Sequence, residues 1–135
     1  MKRFALAVLS VLALAGCAQA EPSSVEKFNG AEADVAQKIE DLEKDGRTNK
    51  PSDICSDILA KELVDQLKAG GTNCETEMKK AIEDADDFDL EVLEVNITGD
   101  TATARVRRGK DGPTETMQFK LENKEWRATS LSSSR

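Results

Sequence analysis

Apolar residues follow three successive patterns along the chain. Residues 4–15 form an apolar run interrupted only by Ser10 and preceded by Met1-Lys2-Arg3. After a short polar stretch the spacing is helical to about residue 85, and from Phe88 onward it alternates. Residues three and four apart share a helix face, whereas every second residue shares a strand face, so the two patterns assign elements. Val35, Ile39 and Leu42 make a stripe flanked by Glu32, Asp34, Lys38, Glu40, Asp41, Glu43 and Lys44. This predicts an amphipathic helix of about 20 residues, capped by Ser23 or Ser24, weakened at Asn29-Gly30 and ended near Asp45-Gly46. Ile54, Ile58, Leu59, Leu63, Val64 and Leu67 make a second stripe, with Ser52 as cap and Gly70-Gly71 as stop. It reads as one helix or as two short ones. Asn73 is placed to cap a third helix reaching about Ala85, with Cys74, Met78, Ala81 and Ile82 inward.

In the alternating half, Leu90, Val92, Val95 and Ile97 predict a strand whose change of phase at Leu93-Glu94 implies a bulge. Gly99-Asp100 marks a turn, after which Ala102, Ala104 and Val106 alternate with Thr101, Thr103, Arg105 and Arg107. Lys110-Asp111-Gly112-Pro113 is a second turn, and Met117, Phe119 and Leu121 alternate with Thr116, Gln118 and Lys120. Glu122-Asn123-Lys124 turns into a fourth strand carrying Trp126 and Ala128. Helices followed by an antiparallel meander predict an α+β domain, with about three N-terminal helices on one face of a curved four-stranded sheet. Residues 132–135 are expected to be a disordered tail.

The run at residues 4–15 is too short to cross a hydrocarbon core, which takes about 20 apolar residues. A basic head followed by such a run has the make-up of an export signal, expected to cover residues 1–16. Removing them leaves 119 of the 135 residues, enough for one domain. Residues 17–24 would hold Cys17 and a short polar tether containing Pro22, and residues 25–131 the α+β domain. Lys2 and Arg3 are two of the 19 basic residues, so the exported chain would stand at 17 against 26 acids and shift from −7 to −9. That balance repels phosphate backbones and sets nucleic acid aside as a partner. Arg105, Arg107 and Arg108 are the one dense basic patch, read as one face of a strand.

The sequence has three cysteines. With Cys17 at the signal boundary, Cys55 and Cys74 are the remaining pair, and outside the cytoplasm such thiols usually join. The bridge would close a loop of about 20 residues and contribute ~3 kcal/mol in the chain-entropy model. The alternative is a reactive or metal-binding pair, for which a chain with no histidine offers few further ligands.

Leu14-Ala15-Gly16-Cys17 resembles the lipobox of bacterial lipoprotein precursors. The resemblance implies cleavage before Cys17, acyl chains on its sulfur, and attachment to the extracytoplasmic face of a cell membrane through that lipid. The other reading is an ordinary cleavage after Ala20, since Ala18-Gln19-Ala20 fits a small-x-small site, which would release a soluble secreted protein.

The order of elements over residues 23–131, with Cys55 and Cys74 on successive helices and the ending Asn123-Lys124-Glu125-Trp126-Arg127, resembles nuclear-transport-factor-2-like domains of small exported lipoproteins. That resemblance implies a cone-shaped α+β fold whose concave sheet face can hold an apolar pocket. It implies no single activity, because one fold hosts enzymes, carriers and dimerisation modules.

Catalysis is not expected. Histidine and tyrosine are both absent, which removes the usual general base at neutral pH and the usual phenolic donor. The acidic segment Glu83, Asp84, Asp86, Asp87, Asp89 and Glu91 has oxygen ligands for calcium but not the spacing of an EF-hand loop, so no metal and no cofactor are expected. The candidate pocket is the concave face, with Ala102, Ala104, Val106, Met117, Phe119 and Trp126 as lining. Trp126 reads either as a core anchor or as a pocket wall, and Arg105 and Arg107 either pair with acids across strands or bind an anion. The expected function is a lipid-anchored, non-catalytic binding or interaction module, taking a partner segment or small apolar ligand on that face. The alternative is homodimerisation through the sheet, and an enzyme ranks third.

Overall fold

The computed structural model describes residues 23–131. The Ser23 hydroxyl accepts from the Val25 amide at 3.2 Å and opens a 3-10 turn, Ser24–Lys27. Asn29-Gly30 breaks the expected single helix outright, since Gly30 takes φ 56° and ψ −134°, a backbone region that a side chain makes costly. Helix α1 therefore starts afresh and runs Ala31–Arg47, burying Val35, Ala36, Ile39 and Leu42. Gly46 lets the Phe88 ring lie directly on its backbone, leaving no room for a Cβ there.

The second apolar stripe is divided into pieces. Helix α2, Pro51–Asp53, has Pro51 in its first turn and Lys50 at the cap position, so Ser52 is not the cap. A π-turn, Ile54–Ile58, follows, closed by the Leu59 amide donating to the Ile54 carbonyl at 3.0 Å. The helical path ends there because the chain joins the sheet: the Ala60 amide donates to the Ala128 carbonyl at 2.8 Å. Helix α3, Lys61–Ala69, stops at Gly70. Helix α4, Cys74–Asp84, is capped by Asn73, whose side chain accepts from the Thr76 amide at 2.8 Å. Cys74 is buried and Met78 and Ile82 half-buried, while Ala81 is exposed and not inward as expected. A Cys55–Cys74 disulfide, with Cα atoms 6.0 Å apart, joins the π-turn to the start of α4.

The strands are β1 (Leu90–Thr98), β2 (Thr101–Arg108), β3 (Thr114–Glu122) and β4 (Glu125–Ser130), antiparallel and in the order β1-β2-β3-β4. The sheet is open, and the bulge falls between Val92 and Glu94 as the change of phase predicts. Asn123 and Lys124 have φ 50° and 68°, the paired left-handed conformation of a two-residue hairpin turn. Helices α1 to α4 lie against this sheet in an α+β arrangement. One core joins both layers, with Val35, Ile39, Ile54, Ile58 and Leu59 from the helical side meeting Val92, Ala104, Met117 and Trp126.

Candidate functional site

Strand parity puts the six candidate lining residues on one sheet face, and the helical layer fills that face. Ala102, Ala104, Val106, Met117, Phe119 and Trp126 are all buried, none more than 5% exposed. They share a core with Ile39, Ile54 and Ile58, which are at most 1% exposed. Three clefts open on the described surface, and none of these is lined by any of the six. Trp126 therefore sits as a core anchor. Small Ala102, Ala104 and Ala128 let the helices approach the sheet closely, which is how the face becomes full.

The opposite face is polar. Glu94 pairs with Arg105 at 3.2 Å, and Glu91 pairs with Arg107 and with Lys27. In register behind them stand Thr103, Gln118 and Ser130 on one row and Thr101 and Lys120 on another. Arg105 and Arg107 share this face as expected. Arg108 does not: two-residue periodicity turns it to the other side, where it pairs with Glu115 at 3.1 Å. The basic patch is thus split between faces.

Two carboxylates of each layer are shifted, in opposite directions. Burial raises Glu43 above the ordinary carboxylate range, against the Leu90 amide, which donates to it at 3.1 Å, and Arg47, 2.9 Å away. Asp45 is also raised, by burial and then by repulsion from Asp53. On the sheet, the hydrogen bond from Arg107 holds Glu91 down, while Asn96 and Arg105 do so for Glu94.

The acidic segment is drawn into local structure. Asp87 accepts from the Asp89 amide at 2.8 Å, and Asp89 pairs with Arg47 at 3.5 Å. Among the described residues, no three acidic, cysteine or histidine side chains converge as a cation site would need. Cys55 is half-buried at the rim of a cleft with Ser56, Lys61 and Arg127.

A larger cleft, of about 1000 Å³, lies where α1 ends, β1 begins and β2 ends, with Lys27, Lys44, Arg47, Arg107 and Lys110 on its walls. No motif in the sequence marks it. Its residues come from four separate segments, and only the Lys44 and Arg47 spacing hints at a shared face. Cys17, the expected export signal, the cleavage site after Ala20 and the tail at 132–135 all lie outside the described residues.

No family model matches the chain, and neither a curated protein nor a solved structure matches it.

Proposed function

We propose that this chain is a nuclear-transport-factor-2-like bacterial lipoprotein, held to the extracytoplasmic face of a membrane by acyl chains on Cys17. It works there as a non-catalytic interaction module. The observation that carries the anchor is Leu14-Ala15-Gly16-Cys17 standing directly behind the apolar run. Two or more acyl chains on one cysteine give stable attachment without help from the protein surface, at ~0.8 kcal/mol per buried methylene. A Cys55–Cys74 disulfide is consistent with an oxidising compartment.

The filled sheet face moves the interaction to the exterior. A small apolar ligand would have to displace the side chains of α1 and the π-turn, so the concave-pocket form of the reading is the less supported one. Dimerisation through the sheet would have to use the polar outer face, whose threonines, amides and ion pairs suit a hydrogen-bonded contact more than an apolar one.

Expression of the full chain with Cys17→Ser in a bacterial host tests the anchor. The native chain is expected in the membrane fraction with an acylated Cys17 as its first residue. The variant should lose the acyl mass and leave the membrane. Membrane retention of an unacylated variant, or a native chain beginning at Glu21, would defeat the reading.

A further inference from the structure

The chain enters the described domain at one face, and the chemistry of that face differs from the rest of the helical layer. Ser23 is the first described residue, and it is tied down. Its hydroxyl donates to Glu40 Oε1 at 2.6 Å, and the Val25 amide donates to the same carboxylate oxygen at 3.2 Å. Ser24 Oγ accepts from the Val92 amide at 3.5 Å, so the entry point is also fixed on β1. Both serines line the 1000 Å³ cleft.

Five residues lie between Cys17 and Ser23, and six steps of at most ~3.6 Å keep the Ser23 Cα within roughly 22 Å of the Cys17 Cα. The cleft is therefore within reach of the bilayer if Cys17 is its anchor. Residues 23–89 carry 18 acidic against 9 basic side chains, yet basic and acidic groups are equal in number around this cleft. Several of them neutralise one another: Arg47 is held by Glu43 and Asp89, and Arg107 and Lys27 by Glu91. Lys44 and Lys110 have no ion pair among the described residues, and neither have Glu40 and Asp41, which accept hydrogen bonds from Ser23 and Gln37 instead. Ammonium and carboxylate groups outside ion pairs thus stand on one rim. That is the complement of a zwitterionic headgroup layer, which presents phosphate and ammonium side by side. Acidic groups on the far side of the domain lie beyond the ~8 Å over which charges act at physiological salt.

We propose that the anchored domain docks this cleft onto a zwitterionic phospholipid surface, with Lys44 and Lys110 on lipid phosphates and Asp41 toward the ammonium groups. The proposal rests on acylation of Cys17. Two lysines bind weakly, so the contact forms only because the tether keeps the cleft at high effective concentration next to the headgroups.

The acylated chain, reconstituted into phosphatidylcholine vesicles and compared with detergent micelles, tests this by amine labelling read residue by residue in a mass spectrometer. Lys44 and Lys110 should label several-fold more slowly in vesicles. Lys120 and Lys124 are exposed at the opposite end of the sheet, where β3 pairs with the start of β2, and should label equally in both. Lys44→Gln with Lys110→Gln should leave flotation with vesicles intact while Lys27, on the same cleft, loses its protection. Equal labelling of all four lysines in a chain that floats with the vesicles would overturn docking and leave the anchor standing. Undiminished protection of Lys27 in the double variant would overturn the role given to the two lysines. A native chain that fails to float would overturn the anchor, and docking with it.

Discussion

The helical layer and the sheet share one core but manage charge in opposite ways. Residues 23–89 hold 18 acids against 9 bases, and residues 90–131 hold 7 of each. On the sheet, antiparallel register puts Glu91 beside Arg107 and Glu94 beside Arg105, so opposite charges meet because strand pairing brings them together. In the helices the acids outnumber their partners, and Glu43 and Asp45 are pushed toward protonation. Burial differs as well: no residue of α3 is fully buried and only Cys74 of α4 is, whereas β2 buries three of its eight. The sheet, α1 and the π-turn supply most of the buried core, and α3 with α4 is an outer layer attached to it by half-buried contacts and a disulfide.

That contrast can be broken most severely at Trp126. Trp126→Ala should cost about 3–5 kcal/mol, as truncation of a buried aromatic does, a large part of the ~5–15 kcal/mol typical of a whole domain. Urea unfolding followed by far-ultraviolet circular dichroism measures it. Leu67→Ala in α3 is the matched probe of the outer layer. Leu67 is half-buried, so its loss should be clearly smaller, and equal losses would dissolve the distinction.

Next in size is the disulfide. Replacing Cys55 and Cys74 together with serine should lower stability by ~3 kcal/mol in the chain-entropy model. Hydrogen exchange should then rise most in α4 and the π-turn and least in β2 and β3. A uniform rise would mean that the outer layer and the sheet open as one.

The smallest effect is the pH profile, where the two layers oppose each other. A carboxylate raised in the folded state binds its proton more tightly there than in the unfolded chain, so Glu43 and Asp45 favour folding as pH falls from neutral toward the ordinary carboxylate range. Glu91 and Glu94 are lowered, so their contribution is present above that range and is lost as pH falls through their depressed folded values. Thermal unfolding should therefore peak between neutrality and the carboxylate range and drop in stronger acid. Glu43→Gln should flatten the neutral limb and Glu91→Gln the acid limb. A maximum at or above neutral pH in the native chain would reverse the sign given to Glu43.

The sheet was largely legible because strand parity and turn residues are local. Val92 and Val95 are both inward with one extra residue between them, which requires a bulge, and Gly99 and Asn123 stand where the chain reverses. The helical half was less legible for a definite reason. Ile54 and Ile58 share a face in an α-helix and in a π-turn alike, and what ends the helix is the distant Ala128 carbonyl. Cys55 and Cys74 could be paired from their number and from the helices that carry them. The state of the concave face could not be read in the same way. Alternating apolar residues look identical under a pocket and under a packed helix, and only the approach of α1 distinguishes them. The charged cleft was hidden because its walls come from segments far apart in the chain.

The filled face is the central feature of the domain, and Ala104→Leu probes it directly. Ala104 is 0% exposed between Val95 and Met117. A larger side chain should overpack the core at a cost of about 1–3 kcal/mol, lowering Tm by several degrees at ~4–8 °C per kcal/mol for a domain of this size. An unchanged Tm would mean that the added atoms enter open space, and that the sheet face is a pocket after all.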